Sequence, residues 1–247
     1  MTAGRGLDFS GIHTLIVGLA REGTALARFL AEHGAQVTVT DMKSAEALAD
    51  GLAALEGLPI ALALGGHPLE LLDTADIVFV SPGVPLEIPL LVEARRRGVP
   101  LSSETRLFTR LCPAPVIGIT GSSGKTTTTA LVGEMMKASG RWTWVGGNIG
   151  RPLIGHVKEI APSDAVVMEL SSFQLEFFGA WGGEILRSAA ASPLAGISVG
   201  PACLHVKLTV VIRSLARQAA WRFHYVALRS VADPRQGAGR LLLPPGR

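Results

Sequence analysis

The stretch GITGSSGKTTTT, residues 118–129, decides how the fold of this chain is interpreted. It follows an apolar run at 116–120 and leads into a helical pattern at about 125–139. A strand, a glycine-rich turn and a helix N-terminus together bind phosphate, because backbone N–H groups converge there and the helix dipole favours an anion. Ile119 stands where the usual P-loop spacing has glycine. The Gly-Ser-Ser-Gly-Lys-Thr core still predicts a nucleotide-phosphate site, the alternative being a glycine turn with a surface lysine.

This pattern assigns a role to each polar side chain near the loop. Lys125 would reach the β- and γ-phosphates of ATP, and the Thr126 hydroxyl would bind Mg²⁺. Glu169 lies near the end of the next strongly buried strand, at 165–170, where ligands of an open α/β sheet gather. It is therefore predicted to share the Mg²⁺ with Thr126; alternatively it only tops the strand and contacts water. The predicted cofactor-binding residues are Gly121, Ser122, Ser123, Gly124, Lys125, Thr126 and Thr127.

Strand and helix patterns alternate along most of the chain, which predicts an α/β fold with a doubly wound parallel sheet. The predicted strands are 12–18, 36–40, 59–64, 75–80, 116–120, 141–145 and 165–170, with a further candidate at 208–212; the predicted helices are 18–34, 44–56, 89–98 and 125–139. The stiff segment Cys-Pro-Ala-Pro at 112–115 indicates a boundary. We expect a Rossmann-like domain at 1–111, a partial P-loop-type ATP-binding domain at 116–178, and an atypical tail at 179–247.

A second glycine turn, at 18–23, has the pattern G-x-A-x-x-G and is followed by Asp41. It is similar to a dinucleotide fingerprint, but Ala20 replaces the glycine that lets the backbone approach a pyrophosphate. The turn could bind a dinucleotide or a sugar nucleotide, or it could be purely structural. The turns at 81–83 and 147–148 follow other strands and could face the same crevice or be simple turns.

Composition restricts the class of protein. The chain has 247 residues, of which 48% are hydrophobic and 17% charged, as in globular proteins. It has no uninterrupted apolar stretch near the roughly 20 residues of a membrane helix. Its two cysteines are far apart, which predicts a reducing, cytoplasmic setting. Residues 180–247 carry nine basic and two acidic residues, a net +7, whereas the first 179 carry 14 basic and 18 acidic residues, a net −4.

Several motifs in one order resemble the bacterial Mur ligases: GITGSSGKTTTT, GGNIG and ELSSFQLE, with the N-terminal glycine turn and SPGVP. The most specific is SSFQLE at 171–176, and the resemblance extends over about 10–178. It implies a cytoplasmic, monomeric ligase of peptidoglycan synthesis, and hence of cell-wall biogenesis, cell division and cell shape. Such an enzyme uses ATP and Mg²⁺ to phosphorylate the alanine carboxylate of UDP-N-acetylmuramoyl-L-alanine, and D-glutamate then attacks the acyl phosphate. No nucleic acid or membrane span is implied.

The resemblance also implies roles for individual residues. Lys125 and Glu169 would be catalytic, and Thr126 and Glu169 would hold the metal. The residues implied to contact the UDP-sugar are Leu19, Ala20, Asp41, Ser81, Gly83 and Asn148.

The sequence departs from the family pattern beyond Phe178. It contains no Asp-His-Leu or Asn-His-Leu stretch for a metal and substrate motif, and His205 and His224 are poorly placed substitutes. The lysine that becomes carbamylated in the family has no recognisable equivalent. We therefore expect a truncated or frame-shifted ligase gene product, the alternative being a diverged C-terminal segment.

Three other functions remain open at this stage. The chain could be a nucleotide-binding remnant without catalysis. Residues 18–41 alone would suit an NAD-dependent oxidoreductase. The aromatic and basic residues at 217–225 could contact nucleic acid, although their charges are scattered.

Overall fold

The computed structural model describes residues 7–178, 207–214 and 222–229. Its strands are β1 His13–Val17, β2 Gln36–Asp41, β3 Ile60–Leu64, β4 Ile77–Val80, β5 Leu101–Ser102, β6 Val116–Thr120, β7 Thr143–Gly147, β8 Ala165–Glu169, β9 Lys207–Ser214 and β10 Arg222–Arg229. Its α-helices are α1 Arg21–Glu32, α2 Ala49–Ala53, α3 Pro89–Arg96, α4 Glu104–Leu111, α5 Lys125–Ala138 and α6 Ser172–Glu176. Short 3₁₀ helices lie at Glu46–Leu48, Leu69–Leu72 and Ile154–His156.

The first sheet has the strand order β3-β2-β1-β4-β5, and all of its pairs are parallel. The predicted doubly wound α/β architecture is therefore confirmed. The chain passes from β1 outwards through β2 and β3, then returns to the other side of β1 with β4. This reversal between β1 and β4 is the switch point at which such sheets bind ligands.

The second sheet has the order β10-β9-β6-β8-β7. Strands β6, β8 and β7 run parallel, and Ile119 of β6 is paired with Glu169 of β8. The carboxyl ends of β6 and β8 therefore lie side by side, at the start of the phosphate loop. Strand β9 pairs antiparallel with both β6 and β10.

The observed elements differ from the predicted ones in several places, and the short elements β5 and α6 were not predicted. The predicted helix at 44–56 is a 3₁₀ turn followed by the short helix α2. Strand β7 continues through two glycines that the sequence assigned to a loop. Helix α4 was not predicted, because its first residues are polar and yet buried. The candidate strand at 208–212 lies within β9, whereas β10 was not predicted; the rest of the tail lies outside the described residues.

One continuous hydrophobic cluster connects the two sheets. It joins Leu26 and Leu30 of α1 and Phe108 of α4 to Ile154 and to Met168 of β8. All five side chains are at most 1% exposed. The helices on this side of the first sheet therefore pack directly against the second half of the chain. Across the part of the chain that is described, no helix is both long and apolar enough to cross a membrane.

Gly23 lies where α1 makes its closest approach to the first glycine turn. A Cβ atom at this position would overlap the carbonyl oxygen of Gly18 and come within 2.7 Å of Ser81 Oγ. The last glycine of the G-x-A-x-x-G pattern therefore permits tight packing of the helix against the strand end.

We predict that Gly23→Ala lowers the free energy of unfolding by about 1–3 kcal/mol, because the methyl group has no space beside the Gly18 backbone. Urea unfolding followed by circular dichroism measures this change. Gly155→Ala is the matched control, since a Cβ there meets nothing within 4 Å and Gly155 has no positive φ. Equal effects of the two substitutions would contradict the assigned packing role.

Candidate active site

The loop between β6 and α5 has the geometry of a phosphate-binding turn. Gly124 precedes the helix with a left-handed φ of +74°, a conformation that suits glycine. It has no side chain with which to cap the helix, so the N–H groups of the first turn are not satisfied by a capping side chain. Lys125 folds back over the loop, and its Nζ donates to the carbonyl of Gly121 at 2.9 Å. The predicted loop residues therefore lie together at the N-terminus of α5.

The Thr126 hydroxyl and the Glu169 carboxylate, for which the sequence predicts a shared Mg²⁺, are in direct contact. Thr126 Oγ1 donates to Glu169 Oε2 at 2.8 Å. Asn148 Nδ2 donates to the other oxygen, Glu169 Oε1, at 3.1 Å. Glu169 is only 3% exposed, so both donors contribute to keeping a buried carboxylate satisfied.

This pair fits a Mg²⁺ ion by the chemistry of its donors. A hydroxyl and a carboxylate are hard oxygen ligands, and Mg²⁺ at nucleotide sites takes few protein ligands because phosphates and water fill the others. Among residues 7–178, 207–214 and 222–229, no cluster of three or more Asp, Glu, His or Cys side chains could form an all-protein metal cage. The arrangement therefore suits a metal that arrives with a nucleotide.

The first glycine turn is held by Asp41, which follows on the neighbouring strand. Asp41 Oδ2 accepts the N–H of Leu19 at 2.7 Å, and Oδ1 accepts the N–H of Lys43 at 2.9 Å. Ser81 Oγ donates to the carbonyl of Gly18 at 2.6 Å. Two of the side chains expected to contact the UDP-sugar thus already shape the turn itself.

The other expected substrate residues fall into two groups. Leu19, Ala20 and Gly83 lie at the switch point between β1 and β4, and the last two are exposed there. Asn148 lies instead on the second sheet, with its amide on Glu169. Arg21 connects the groups, because its guanidinium donates to the carbonyl of Asn148 at 2.9 Å. Sequence inspection did not identify Arg21, since nothing in its local pattern distinguishes it from a surface arginine.

A buried polar cluster that the sequence did not reveal lies between α1, α4 and α6. Gln174 is fully buried, and its Nε2 donates to Glu22 Oε1 at 2.8 Å and to Thr105 Oγ1 at 2.9 Å. Thr105 Oγ1 donates in turn to Glu104 Oε2 at 3.3 Å. The Ser-x-x-Gln spacing at 171–174 is a capping pattern from which the position of Gln174 could have been predicted.

The two carboxyl groups of this cluster have perturbed pKa values. Burial, and next the negative charge of Glu22, raise the pKa of Glu104 to about 8, against weaker opposing effects of the Ile154 backbone, Thr105 and Arg21. Burial also raises the pKa of Glu22, opposed by the hydrogen bond from Gln174 and by the charge of Arg21. We infer that Glu104 is protonated at neutral pH.

The fold is that of a doubly wound α/β protein, and a glycine-rich turn leads from β6 into α5. Two family descriptions match this chain: the MurD-like N-terminal domain of Mur ligases over residues 12–103, and the Mur ligase middle domain over residues 119–191. The chain belongs to the Mur ligase family. The middle-domain match continues to residue 191, so family sequence extends beyond Phe178, where the motifs stop being recognisable.

Curated relatives carry the name UDP-N-acetylmuramoylalanine–D-glutamate ligase. The protein from Geobacter metallireducens is 49% identical over 175 residues, which is 71% of this chain and 39% of that protein. The protein from Geotalea daltonii is 52% identical over 171 residues, which is 69% of this chain and 38% of that protein. The chain thus spans about two fifths of the length of these relatives. The oxidoreductase alternative, which depended on residues 18–41 alone, is weaker than the ligase interpretation.

Among solved structures, a UDP-N-acetylmuramate-alanine ligase from Thermotoga maritima aligns with 26% identity. The alignment covers 67% of this chain and 39% of that one, with a TM-score of 0.41.

We predict that the free energy of unfolding contributed by Glu104 falls as the pH rises from about 4.5 to about 8. In this window the folded protein keeps the Glu104 proton and the unfolded chain loses it, so deprotonation favours unfolding. Below the window both states are protonated, and above it both are ionised. In Glu104→Gln the loss of unfolding free energy across this pH window should be smaller than in the wild type by at least about 1 kcal/mol. Urea unfolding at a series of pH values measures the difference.

The exposed Glu56 offers a control for this experiment, since Glu56→Gln should keep the wild-type pH dependence. Parallel stability curves for the wild type and Glu104→Gln across the whole window would show that Glu104 is ionised at neutral pH.

Proposed function

We propose that this chain takes part in the ATP-dependent joining of D-glutamate to UDP-N-acetylmuramoyl-L-alanine, and that its described residues form the binding half of that ligase. The observation that carries the proposal is the contact between Thr126 and Glu169 directly behind the phosphate loop. Near 50% identity to relatives of that name supports the choice of reaction.

Phosphorylation of the substrate's alanine carboxylate is the step that this half would prepare. A carboxylate is a poor acylating agent, because acyl substitution would require an oxide ion as the leaving group. Attack of a carboxylate oxygen on the γ-phosphorus of ATP releases ADP and forms an acyl phosphate. Attack of the D-glutamate amine then forms the amide bond and releases inorganic phosphate. The ammonium of Lys125 would stabilise negative charge on the transferring phosphoryl oxygens.

Thr126 and Glu169 would hold Mg²⁺, which when bound neutralises phosphate charge and orients the phosphates. Asn148 would keep the Glu169 carboxylate in one orientation through its amide. An orienting hydrogen bond of this kind is a common requirement for carboxylates that ligate metals.

The first glycine turn would bind the UDP part of the substrate. The N-terminus of α1 is free of a side-chain cap, because its N-cap residue is Ala20. Backbone N–H groups at this helix start would donate to a pyrophosphate, and the exposed Ala20 and Gly83 leave space for it. Asp41 would act mainly by holding the turn through the Leu19 N–H.

We predict that the purified chain binds ATP with Mg²⁺, and that Lys125→Ala weakens this binding roughly tenfold to hundredfold, through loss of charge-assisted hydrogen bonds. Isothermal titration calorimetry measures the affinity. Lys137→Ala is the control, since Lys137 is an exposed lysine of the same helix that pairs with Glu134. Loss of affinity in both variants, or in neither, would argue against the phosphate-loop assignment.

The same chain should release no phosphate with ATP, Mg²⁺, UDP-N-acetylmuramoyl-L-alanine and D-glutamate, because its sequence has no recognisable second metal motif. Turnover that requires both substrates would prove the binding-only expectation wrong and support an intact ligase. Binding of ATP without binding of the UDP-sugar would favour the nucleotide-binding alternative.

Glu169→Gln tests the metal site separately. The amide can still accept from Asn148 and donate to the Thr126 oxygen, so the fold should persist while the negative charge is lost. We expect Mg²⁺ to stop improving ATP affinity in this variant, as measured by titrations with and without the ion. Glu134→Gln, on the exposed face of α5, should retain the full Mg²⁺ effect.

A further inference from the structure

Two adjacent residues of α1 contact two segments near Glu169, the turn after β7 and helix α6. Arg21 donates to the carbonyl of Asn148, and the Asn148 amide donates to Glu169. Glu22 accepts from Gln174, which lies five positions after Glu169 on the other side. The end of β8 is thus tied to the start of α1 by two separate polar bridges.

Both the oxygen and the nitrogen of the Gln174 side-chain amide form hydrogen bonds within the protein. Its Oε1 accepts the N–H of Ser171 at 2.9 Å, and its backbone N–H donates to Ser171 Oγ at 3.2 Å. Since Oε1 faces the Ser171 donor, both amide protons are directed to Glu22 and Thr105. An ionised glutamate has no protons for these acceptors, so a glutamine at this position is chemically specified.

The bridge through Gln174 connects parts of the chain that are far apart in sequence. Glu22 and Gln174 are 152 positions apart, and Gln174 and Thr105 are 69 positions apart. The three side chains are buried. Helices α1 and α4, which carry Glu22 and Thr105, also contribute to the hydrophobic cluster that contains Ile154. Among the described residues, Glu22 Oε2 and Glu104 Oε1 have no hydrogen-bond partner, so the position of the helices depends on the bonds that Gln174 makes. These bonds weaken steeply when their angles change, and they therefore favour one relative position of α1, α4 and α6.

We propose that Glu22 and Gln174 are positioning residues that couple the first glycine turn to the Glu169 end of the phosphate site, so that a ligand in one improves binding in the other. The coupling rests on the proposed function, in which a UDP-sugar binds at the turn and ATP with Mg²⁺ binds at Glu169. Neither residue touches the reacting atoms; each acts through the position of α1 relative to β8.

Gln174→Glu is the disrupting variant. It places a third carboxyl beside Glu22 and Glu104 and leaves at most one proton for two acceptors, while the bond from Ser171 is kept. Glu22→Gln on this background restores a donor opposite the introduced carboxylate and removes one charge. Glu104→Gln on the same background is the matched control. It also replaces a carboxyl of the cluster by an amide, but Gln174 makes no hydrogen bond to Glu104.

The measurement is the affinity for ATP with Mg²⁺, by calorimetry, with and without saturating UDP-N-acetylmuramoyl-L-alanine. In the wild type we expect the UDP-sugar to improve this affinity by about fivefold or more. In Gln174→Glu the improvement should vanish while the affinity for ATP alone changes by less than about twofold. Glu22→Gln/Gln174→Glu should regain the improvement, and Glu104→Gln/Gln174→Glu should not.

Other outcomes separate failure of this inference from failure of the proposed function. Binding of both ligands without mutual improvement in the wild type, or equal rescue by both double variants, would overturn the coupling and leave the function standing. Failure to bind either ligand would count against the proposed function.

Amide hydrogen exchange at 147–149 and 171–176 follows the positions of the loops around Glu169 in the same variants. Exchange there should accelerate in Gln174→Glu, because the bridge to α1 is lost, and return to wild-type rates only with Glu22→Gln. Unchanged exchange in Gln174→Glu would overturn the inference.

Discussion

A carboxylate buried at the end of a parallel strand must be met by donors, because an unpaired buried charge costs several kcal/mol. Glu169 is in this situation. Thr126, in the first turn of α5, donates to one of its oxygens, and Asn148, in the turn after β7, donates to the other. Both donors reach it only because β8 lies between β6 and β7 in the sheet. The strand order of the second sheet, the position of the phosphate loop and the orientation of Asn148 are therefore linked through a single side chain.

The two halves of the chain meet through polar contacts as well as apolar ones. Hydrophobic packing around Ile154 stabilises the contact but does not fix its orientation. The contacts of Arg21, Glu22 and Gln174 add direction, because hydrogen bonds weaken steeply when their angles change. Glu104 adds a proton-dependent element, since its ionisation would place two negative charges side by side in a buried cluster. This combination keeps the first glycine turn and the loop between β6 and α5 at a defined distance from each other.

The fold was largely predictable because the hydrophobic patterns of the strands and helices were strong and the two glycine turns marked where strands end. Alternation of apolar strands with amphipathic helices and the two glycine turns indicated the doubly wound sheet, and the first sheet confirms it. Helix α4 was not predictable in the same way, because its polar first turn, including Glu104 and Thr105, reads as solvent-exposed sequence. These side chains are buried only because α1 and α6 supply partners from distant parts of the chain.

The sequence by itself determined the family, the glycine-rich turn between β6 and α5 and the position of Glu169 at the end of a neighbouring strand. These depend on local motifs and on the rule that parallel strands end at one edge. Only the tertiary structure decided that Asn148 binds Glu169, that Ser81 and Asp41 hold the first turn, and that Gln174 bridges α1 to α4. The physical reason is that hydrogen-bond partners of buried groups are chosen by proximity in space. Residues 21, 105, 148 and 174 become neighbours only when both sheets are assembled.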